Sequence, residues 1–271
     1  YWQRSTCKCN LWWRQPEMSD SAKQALAPLR EQIDSIDSQL VALLAKRAKV
    51  TAQVGKIKQQ YALPVYVPER EQLLLSARRE QAQQLGVSAD LAEDVLRRIM
   101  RESYQTQESG FVCCRNGGGK VVVVGGAGAL GARFVSLFER SGYQVAVLEH
   151  NDWLSAEAIC ADAVLVLLAV PITLTEQLIN QLPALSDDCV LADITSIKAL
   201  PLAAMLAKHS GPVVGLHPMF GPDITNLVKQ VVVVCHGRAE TQYQWLLKQM
   251  NVCGAELAVK QAAEHYSAMQ L

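Results

Sequence analysis

The chain has 271 residues, enough for two domains of ordinary size at about 100–200 residues each. Half of them are hydrophobic and 19% are charged. No apolar run reaches the ~18 residues a bilayer-spanning helix needs, which excludes such a helix. Lys plus Arg and Asp plus Glu both total 26, so the net charge is zero; no global basic footprint for nucleic acid exists, and charged partners must be read from local clusters. The eight cysteines form no CxxC pair and no regular framework. That argues against a structural disulfide set or a bound metal and fits a reducing cytoplasm.

Residues 1–17 lack the apolar core of a secretory signal and hold three of the five tryptophans. Met18-Ser-Asp-Ser reads like an ordinary start. Residues 1–21 are therefore expected to be a disordered or artefactual extension, with a binding arm as the alternative.

From Leu26 the apolar residues fall at 26, 29, 33, 36, 40, 43, 50, 54 and 57, in steps of three and four with a gap at Arg47. The spacing predicts a helix over about 22–60 with a coiled-coil-like seam, roughly 55 Å long, which one small domain cannot cover. A partner chain is expected on it. Pro64 and Pro68 end the pattern, and Pro68 suits the start of a second helix over 69–84. Gly86 marks a turn, and Ser88 can cap a third helix running to about 107. Residues 22–107 thus read as an all-α domain.

Residues 108–119, ending Arg-Asn-Gly-Gly-Gly, have the composition of a linker. Beyond them, Val/Leu/Ile runs at 120–125, 143–149, 163–170, 189–194, 212–216 and 230–235 read as buried parallel strands. Thr173 with Glu176 fits a capping box on one crossover helix. The expectation is a doubly wound α/β Rossmann-type domain over 120–263, with a further helix starting near 264.

Three features carry chemistry. A charge at Arg47, in the seam, costs several kcal/mol of desolvation unless compensated. Arg30, Lys58 and Arg70, the last beside Glu71, make an anionic ligand the sharp reading; solvated charges and a snorkelling arginine are the bland one. Arg47 and Lys58 lie roughly 16 Å apart along the helix, within reach of one dianion, whereas Arg30 is roughly 42 Å from Lys58 and could join only from an antiparallel partner. Second, the strand at 121–124 leads through Gly125 into Gly126-Ala-Gly128-Ala-Leu130-Gly131 and a helical stretch. This is the setting a dinucleotide-binding turn needs, although a glycine turn without cofactor has the same letters. Glu149 ends the next strand, where an acid accepts a ribose diol and repels a 2′-phosphate, favouring NAD over NADP. Third, Asp193-Ile-Thr-Ser196-Ile-Lys198 and Gly215-Leu-His217-Pro sit at later strand ends, where such sheets place substrates. A lone histidine is more often structural than catalytic, but the position of His217 at a strand end, flanked by Pro and Gly, favours the catalytic reading.

LAPLREQIDSIDSQLVALLAKR, VGKIK, LPVYVPERE and RRIMRESYQTQ, in that order over residues 26–107, resemble the all-helical chorismate mutases. That resemblance implies a homodimer in which Arg30 comes from the partner subunit and Arg47 binds a carboxylate of chorismate. Lys58 and Gln107 would contact the ether oxygen, Arg70 would assist carboxylate placement, Glu71 would take the substrate hydroxyl, and Ser103 would line the site. Val67 departs from an acidic residue some members carry there. The Rossmann motifs resemble prephenate dehydrogenases, and the order of the two parts resembles the bifunctional mutase–dehydrogenases of bacterial tyrosine biosynthesis. The resemblance implies NAD-dependent conversion of prephenate to 4-hydroxyphenylpyruvate. His217 would draw the proton from the ring hydroxyl, Ser196 would hydrogen-bond near it, Lys198 would support the strand-end loop, and His265 would lie near substrate. Tyr266 departs from the family's usual acidic residue. The family continues past residue 271 with a helical domain that closes the prephenate site and carries much of the dimer contact and the tyrosine response. The expectation is therefore a chain that keeps the mutase chemistry and binds NAD, with an impaired dehydrogenase. A mutase with an inactive Rossmann passenger, or a non-catalytic NAD-sensing dimerisation module, are the alternatives.

Overall fold

The computed structural model describes residues 20–106 and 110–262. The readings for residues 1–19, Gln107, His265 and the helix from 264 lie outside them. The chain divides into two compact units, one up to Val50 and one from Thr51 onward.

Helix α1 (Asp20–Gln60) runs 41 residues, starting two residues earlier than the periodicity predicts and carrying Pro28 inside it. None of its residues is buried. Ile33 and Ile36 are each 56% exposed and Leu43 61%, so the seam is open in the single chain. This corrects the desolvation argument for Arg47, which is only half-buried; the full cost arises when something covers the seam. The helix ends where Ala62 takes φ 50° and Leu63 N–H donates to the Lys58 carbonyl at 2.9 Å, a left-handed stop of the usual kind.

Helix α2 (Pro68–Gln84) opens on the expected proline. Helix α3 (Ala89–Thr106) is capped as expected, the Ser88 hydroxyl accepting from Leu91 N–H at 3.3 Å. The two pack on each other around Leu75, Ala82 and Met100.

The α/β domain is built on seven strands: β1 (Lys120–Val124), β2 (Gln144–Leu148), β3 (Ala163–Leu168), β4 (Val190–Asp193), β5 (Val213–Pro218), β6 (Val231–Arg238) and β7 (Glu256–Val259). Their order in the sheet is β2-β1-β3-β4-β5-β6-β7. Between them run α4 (Ala129–Arg140), α5 (Ala156–Cys160), α6 (Ile172–Gln181), α7 (Ala199–Lys208) and α8 (Glu240–Val252). Because side chains alternate across each strand, one set of apolar residues (Val121, Val123, Leu165, Leu167) packs with Phe134, Phe138, Tyr243 and Leu246, and the other (Val122, Val124, Val166, Leu168) with Ile179, Leu202 and Met205. A sheet covered on both faces is what continuous apolar strands require.

The structure departs from the sequence reading in four places. The sheet is not wholly parallel, since β6 runs antiparallel to β5; strand direction leaves no mark on side-chain periodicity. Strand β7 is additional, short and half-exposed. The expected capping box is absent: α6 begins at Ile172 with Pro171 as its N-cap, so Thr173 is already inside the helix. Thr175 instead turns its hydroxyl back onto the Pro171 carbonyl at 3.1 Å. Finally, part of the stretch with linker composition is packed. Phe111 N–H bonds to the Arg140 carbonyl, Cys114 N–H to Gln249 Oε1, and Phe111 and Cys113 sit against the core.

Candidate active sites

Strands β1, β3, β4 and β5 are mutually parallel, so their carboxyl ends share one edge of the sheet. The chain order reverses between β1 and β3, and α/β sheets bind ligands in the crevice at such a point. The glycine loop lies there. Gly125 takes φ 79°, and a Cβ on it would stand 2.7 Å from the Ala169 carbonyl oxygen at the end of β3; one on Gly126 would meet the Val147 methyls at 2.9 Å. At Gly131 a Cβ would run into the Gly125 carbonyl. The loop is therefore pressed against β2, the end of β3 and α4, with no room for a side chain at these three positions. Gly128 is the N-cap of α4 and offers no side-chain cap, which leaves the N–H groups of the first turn for an anion. Glu149, just past β2, accepts the Ala127 N–H at 2.8 Å and so stands over the loop.

The same edge carries the second motif. Ser196 is half-buried in the turn after β4, and His217 is buried in β5, opposite Val233 of β6. Beneath them lies a charged pair that spacing alone did not reveal. Asp193 and Lys198 are fully buried, with Lys198 Nζ donating to Asp193 Oδ2 at 2.5 Å and to the Leu216 carbonyl, next to His217, at 2.6 Å. Asp193 Oδ2 also accepts the Thr195 N–H and hydroxyl. Asp193 Oδ1 has no hydrogen-bond partner among the described residues. Desolvation pulls the Lys198 pKa down, against the attraction of Asp193. Gly215 makes room for the pair, since a Cβ there would sit 3.0 Å from Lys198 Cδ. Lys198 thus ties the β4 loop to the residue before His217, as the reading of it as a loop support expects.

In the helical region, Arg30 and Arg47 lie on the part of α1 before Val50, Arg30 exposed and Arg47 half-buried. In the second unit, Lys58 is half-buried and donates to the Val65 carbonyl at 2.6 Å, and burial lowers its pKa. Arg70 is exposed, whereas Glu71 beside it is buried. The Glu71 carboxylate is held by the Tyr104 hydroxyl at 2.9 Å, by Arg97 at 3.4 Å and by Lys229. Ser103 turns its hydroxyl onto the Ile99 carbonyl. Sequence reasoning found Glu71 but none of its three partners, Lys229 being 158 residues away. Arg97, Tyr104 and Lys229 also wall a cavity of about 430 Å³ between α3 and residues 223–230. Among the described residues no group of His, Cys, Asp or Glu could hold a metal ion, and no helix is long and apolar enough to cross a membrane.

Comparison with known families finds one match on the helical region and one on the α/β domain. Residues 29–108 match the chorismate mutase type II family, and residues 146–259 match the nucleotide-binding domain of prephenate dehydrogenases, a match that starts within β2, after the glycine loop. The T-protein of Enterobacter agglomerans is 53% identical over 241 residues, covering 89% of this chain and 65% of that protein. The T-protein of Haemophilus influenzae is 49% identical over 247 residues, covering 90% and 66%. The chain thus spans about 65% of the length of these relatives. Among solved structures, a prephenate dehydrogenase from A. aeolicus in complex with hydroxyphenyl propionate and NAD+ overlaps 56% of this chain and 63% of its own, at 17% identity and a TM-score of 0.49. By sequence the chain is similar to these T-proteins, with a region that matches the type II chorismate mutases ahead of one that matches the nucleotide-binding domain of prephenate dehydrogenases.

Proposed function

We propose that the chain carries two consecutive reactions of tyrosine biosynthesis, chorismate to prephenate in the helical region and prephenate to 4-hydroxyphenylpyruvate at the sheet edge. The observation that carries this reading is that one chain matches the type II chorismate mutases over residues 29–108 and the nucleotide-binding domain of prephenate dehydrogenases over 146–259, and is 49–53% identical to two T-proteins.

The first reaction is a unimolecular rearrangement, so it needs no nucleophile, only a dianion held in its reactive shape. Arg47 and Lys58, with Arg30 from a second copy, bind the ends of chorismate, Arg70 assists, Glu71 takes its hydroxyl and Ser103 lines the site. Lys58 and Gln107 face the ether oxygen, where negative charge gathers as the C–O bond breaks. A cation placed there is worth more in the transition state than in the ground state. The open seam of α1 supports a homodimer: covering Ile33, Ile36, Leu40 and Leu43, each more than half exposed, gains about 25 cal/mol per Å² of apolar surface.

The residues at the sheet edge fit NAD: the lack of a Cβ at Gly125, Gly126 and Gly131 lets the loop pack close against its neighbours, and Gly128 leaves the N-terminus of α4 uncapped by a side chain, a setting that suits a pyrophosphate. NAD+ supplies the hydride acceptor when bound. The loop around Gly128 and Leu130, with the α4 N-terminus, holds the phosphates, and Glu149 holds the ribose diol and disfavours a 2′-phosphate. His217 takes the proton of the prephenate ring hydroxyl as CO2 leaves, Ser196 orients that hydroxyl, and His265 stands near substrate. This reading carries tyrosine as an effector of the full-length enzyme and the cytoplasm as the compartment.

The test is one purified chain given two assays, loss of chorismate absorbance and formation of NADH from prephenate. Arg47→Ala should silence the first and leave the second, and Gly131→Val the reverse. Chorismate turnover that survives Arg47→Ala would refute the mutase reading.

A further inference from the structure

Glu71 belongs to the helical region, yet its setting is completed from the α/β domain. Its side chain is 5% exposed, and a carboxylate so placed must be paired and hydrogen-bonded to stay charged. Tyr104, on α3, donates to Oε2 at 2.9 Å. Two cations share Oε1, but unequally. Arg97 stands at 3.4 Å and is drawn away by Glu93, which it contacts at 2.6 and 2.8 Å. Lys229, in the segment leading to β6, makes the closer contact. Lys229 is thus the principal counter-charge of Glu71.

The backbone around Lys229 is specialised for this placement. Lys229 has φ 64°, a left-handed conformation that a side-chain-bearing residue seldom adopts, and its N–H donates to the Gly254 carbonyl at 3.2 Å. Its ammonium also lies 5.2 Å from the Tyr66 ring centroid, within cation–π range. Tyr66 in turn meets Tyr104 edge-to-face at 6.0 Å. The residue before Tyr66 is Val65, whose carbonyl receives Lys58 Nζ at 2.6 Å and whose N–H donates to the Val252 carbonyl at the end of α8 at 3.3 Å. The turn that Lys58 grips is therefore pinned to the α/β domain twice, through Val252 and through the stack on Lys229.

We propose that Lys229 is a positioning residue of the mutase site: the α/β domain reaches through it to fix the Glu71 carboxylate and, through Tyr66, the turn that anchors Lys58. This rests on the reading of Glu71 as the group that takes the substrate hydroxyl. Lys229 need not touch substrate; it sets the group that does. The mutase half is then not self-sufficient, and a chain ending before β6 would have a poorer site than the whole.

Two measurements on the whole chain test this. The first is independent of turnover: denaturant midpoints of Lys229→Met, Glu71→Gln and the double variant. A direct contact predicts that the double variant loses clearly less than the two single losses together; additive losses would mean that the contact is not made and would overturn the proposal. The second is chorismate kinetics. Displacing Glu71 weakens a contact present in ground and transition state alike, so Lys229→Met should raise KM about ten- to a hundredfold, the range of a hydrogen bond to a charged group, with little change in kcat. Lys229→Arg should restore most of it. A merely structural defect would lower the folded fraction, reducing apparent kcat at unchanged KM, and that pattern would also overturn the proposal. Non-additive midpoints in a chain that does not turn over chorismate would leave the contact standing, overturn its positioning role and refute the reading of Glu71 itself.

Discussion

The helical region and the α/β domain hold their functional groups in opposite ways. In the α/β domain both faces of the sheet are covered, and the strand ends that carry Ser196 and His217 rest on a fully buried Asp193–Lys198 pair. These strand ends are held from within the fold. In the helical region α1 buries nothing, and between α2 and α3 only a few side chains are fully enclosed. There the cations are placed by surfaces beyond the helix that bears them: the Val65 turn for Lys58, and, by our reading, a second copy for Arg30. A buried site can be damaged from within, and an exposed one by removing what covers it.

The largest effect should come from the interior of the α/β domain. Lys198→Met strands the buried Asp193 carboxylate and should cost about 3–5 kcal/mol of stability in denaturant melts. Asp193→Asn in the same chain should recover part of that loss, because the uncompensated charge is gone. A loss below 1 kcal/mol would mean that the pair is not buried as described. Next, Gly131→Val should weaken NAD+ binding by at least about a hundredfold in calorimetric titration, because its side chain must displace the Gly125 carbonyl. Chorismate turnover should be untouched, which sharpens the separation of the two regions. A comparable effect is expected for Ile36→Glu with Leu40→Glu on the α1 seam. The pair should convert a dimer to a monomer in sedimentation and abolish mutase turnover while NAD+ affinity holds; a dimer that survives would show that α1 is not the dimer surface.

The smallest effect is in pH. Burial lowers the Lys58 pKa from the ordinary 10.5. The folded chain therefore releases this proton before the unfolded chain does, so this group's penalty on stability fades as pH rises through its folded value and is gone above 10.5. Over the same window the proposed mutase site loses the Lys58 cation. Its rate should fall on an alkaline limb below 10.5, and the residual rate of Lys58→Ala should lack that limb.

Much of this architecture was legible in the residues. Val121–Val124 and Leu165–Leu168 announce buried strands because both of their faces must be apolar, and the steps of three and four from Leu26 announce α1. What periodicity cannot carry is direction and distance. Nothing in the Val231–Cys235 run tells that β6 opposes β5, and Glu256–Val259 is too short and too exposed to read as a strand. Thr173 with Glu176 offered a capping box that Pro171, with its fixed φ, pre-empts. At the sites, the glycine loop and His217 could be named because each motif is local. Asp193 could have been suspected, as an acid closing a buried apolar strand five residues before a lysine. The link from Glu71 to Lys229 could not, since only the folded chain brings the two together.

The most direct test of the account follows chorismate absorbance with the purified chain beside its Lys58→Ala variant. The account predicts turnover by the chain and a loss of about a hundred- to a thousandfold in the variant, the scale of removing one group that stabilises transition-state charge. A folded, dimeric chain that leaves chorismate unchanged, or a variant as active as its parent, would contradict it.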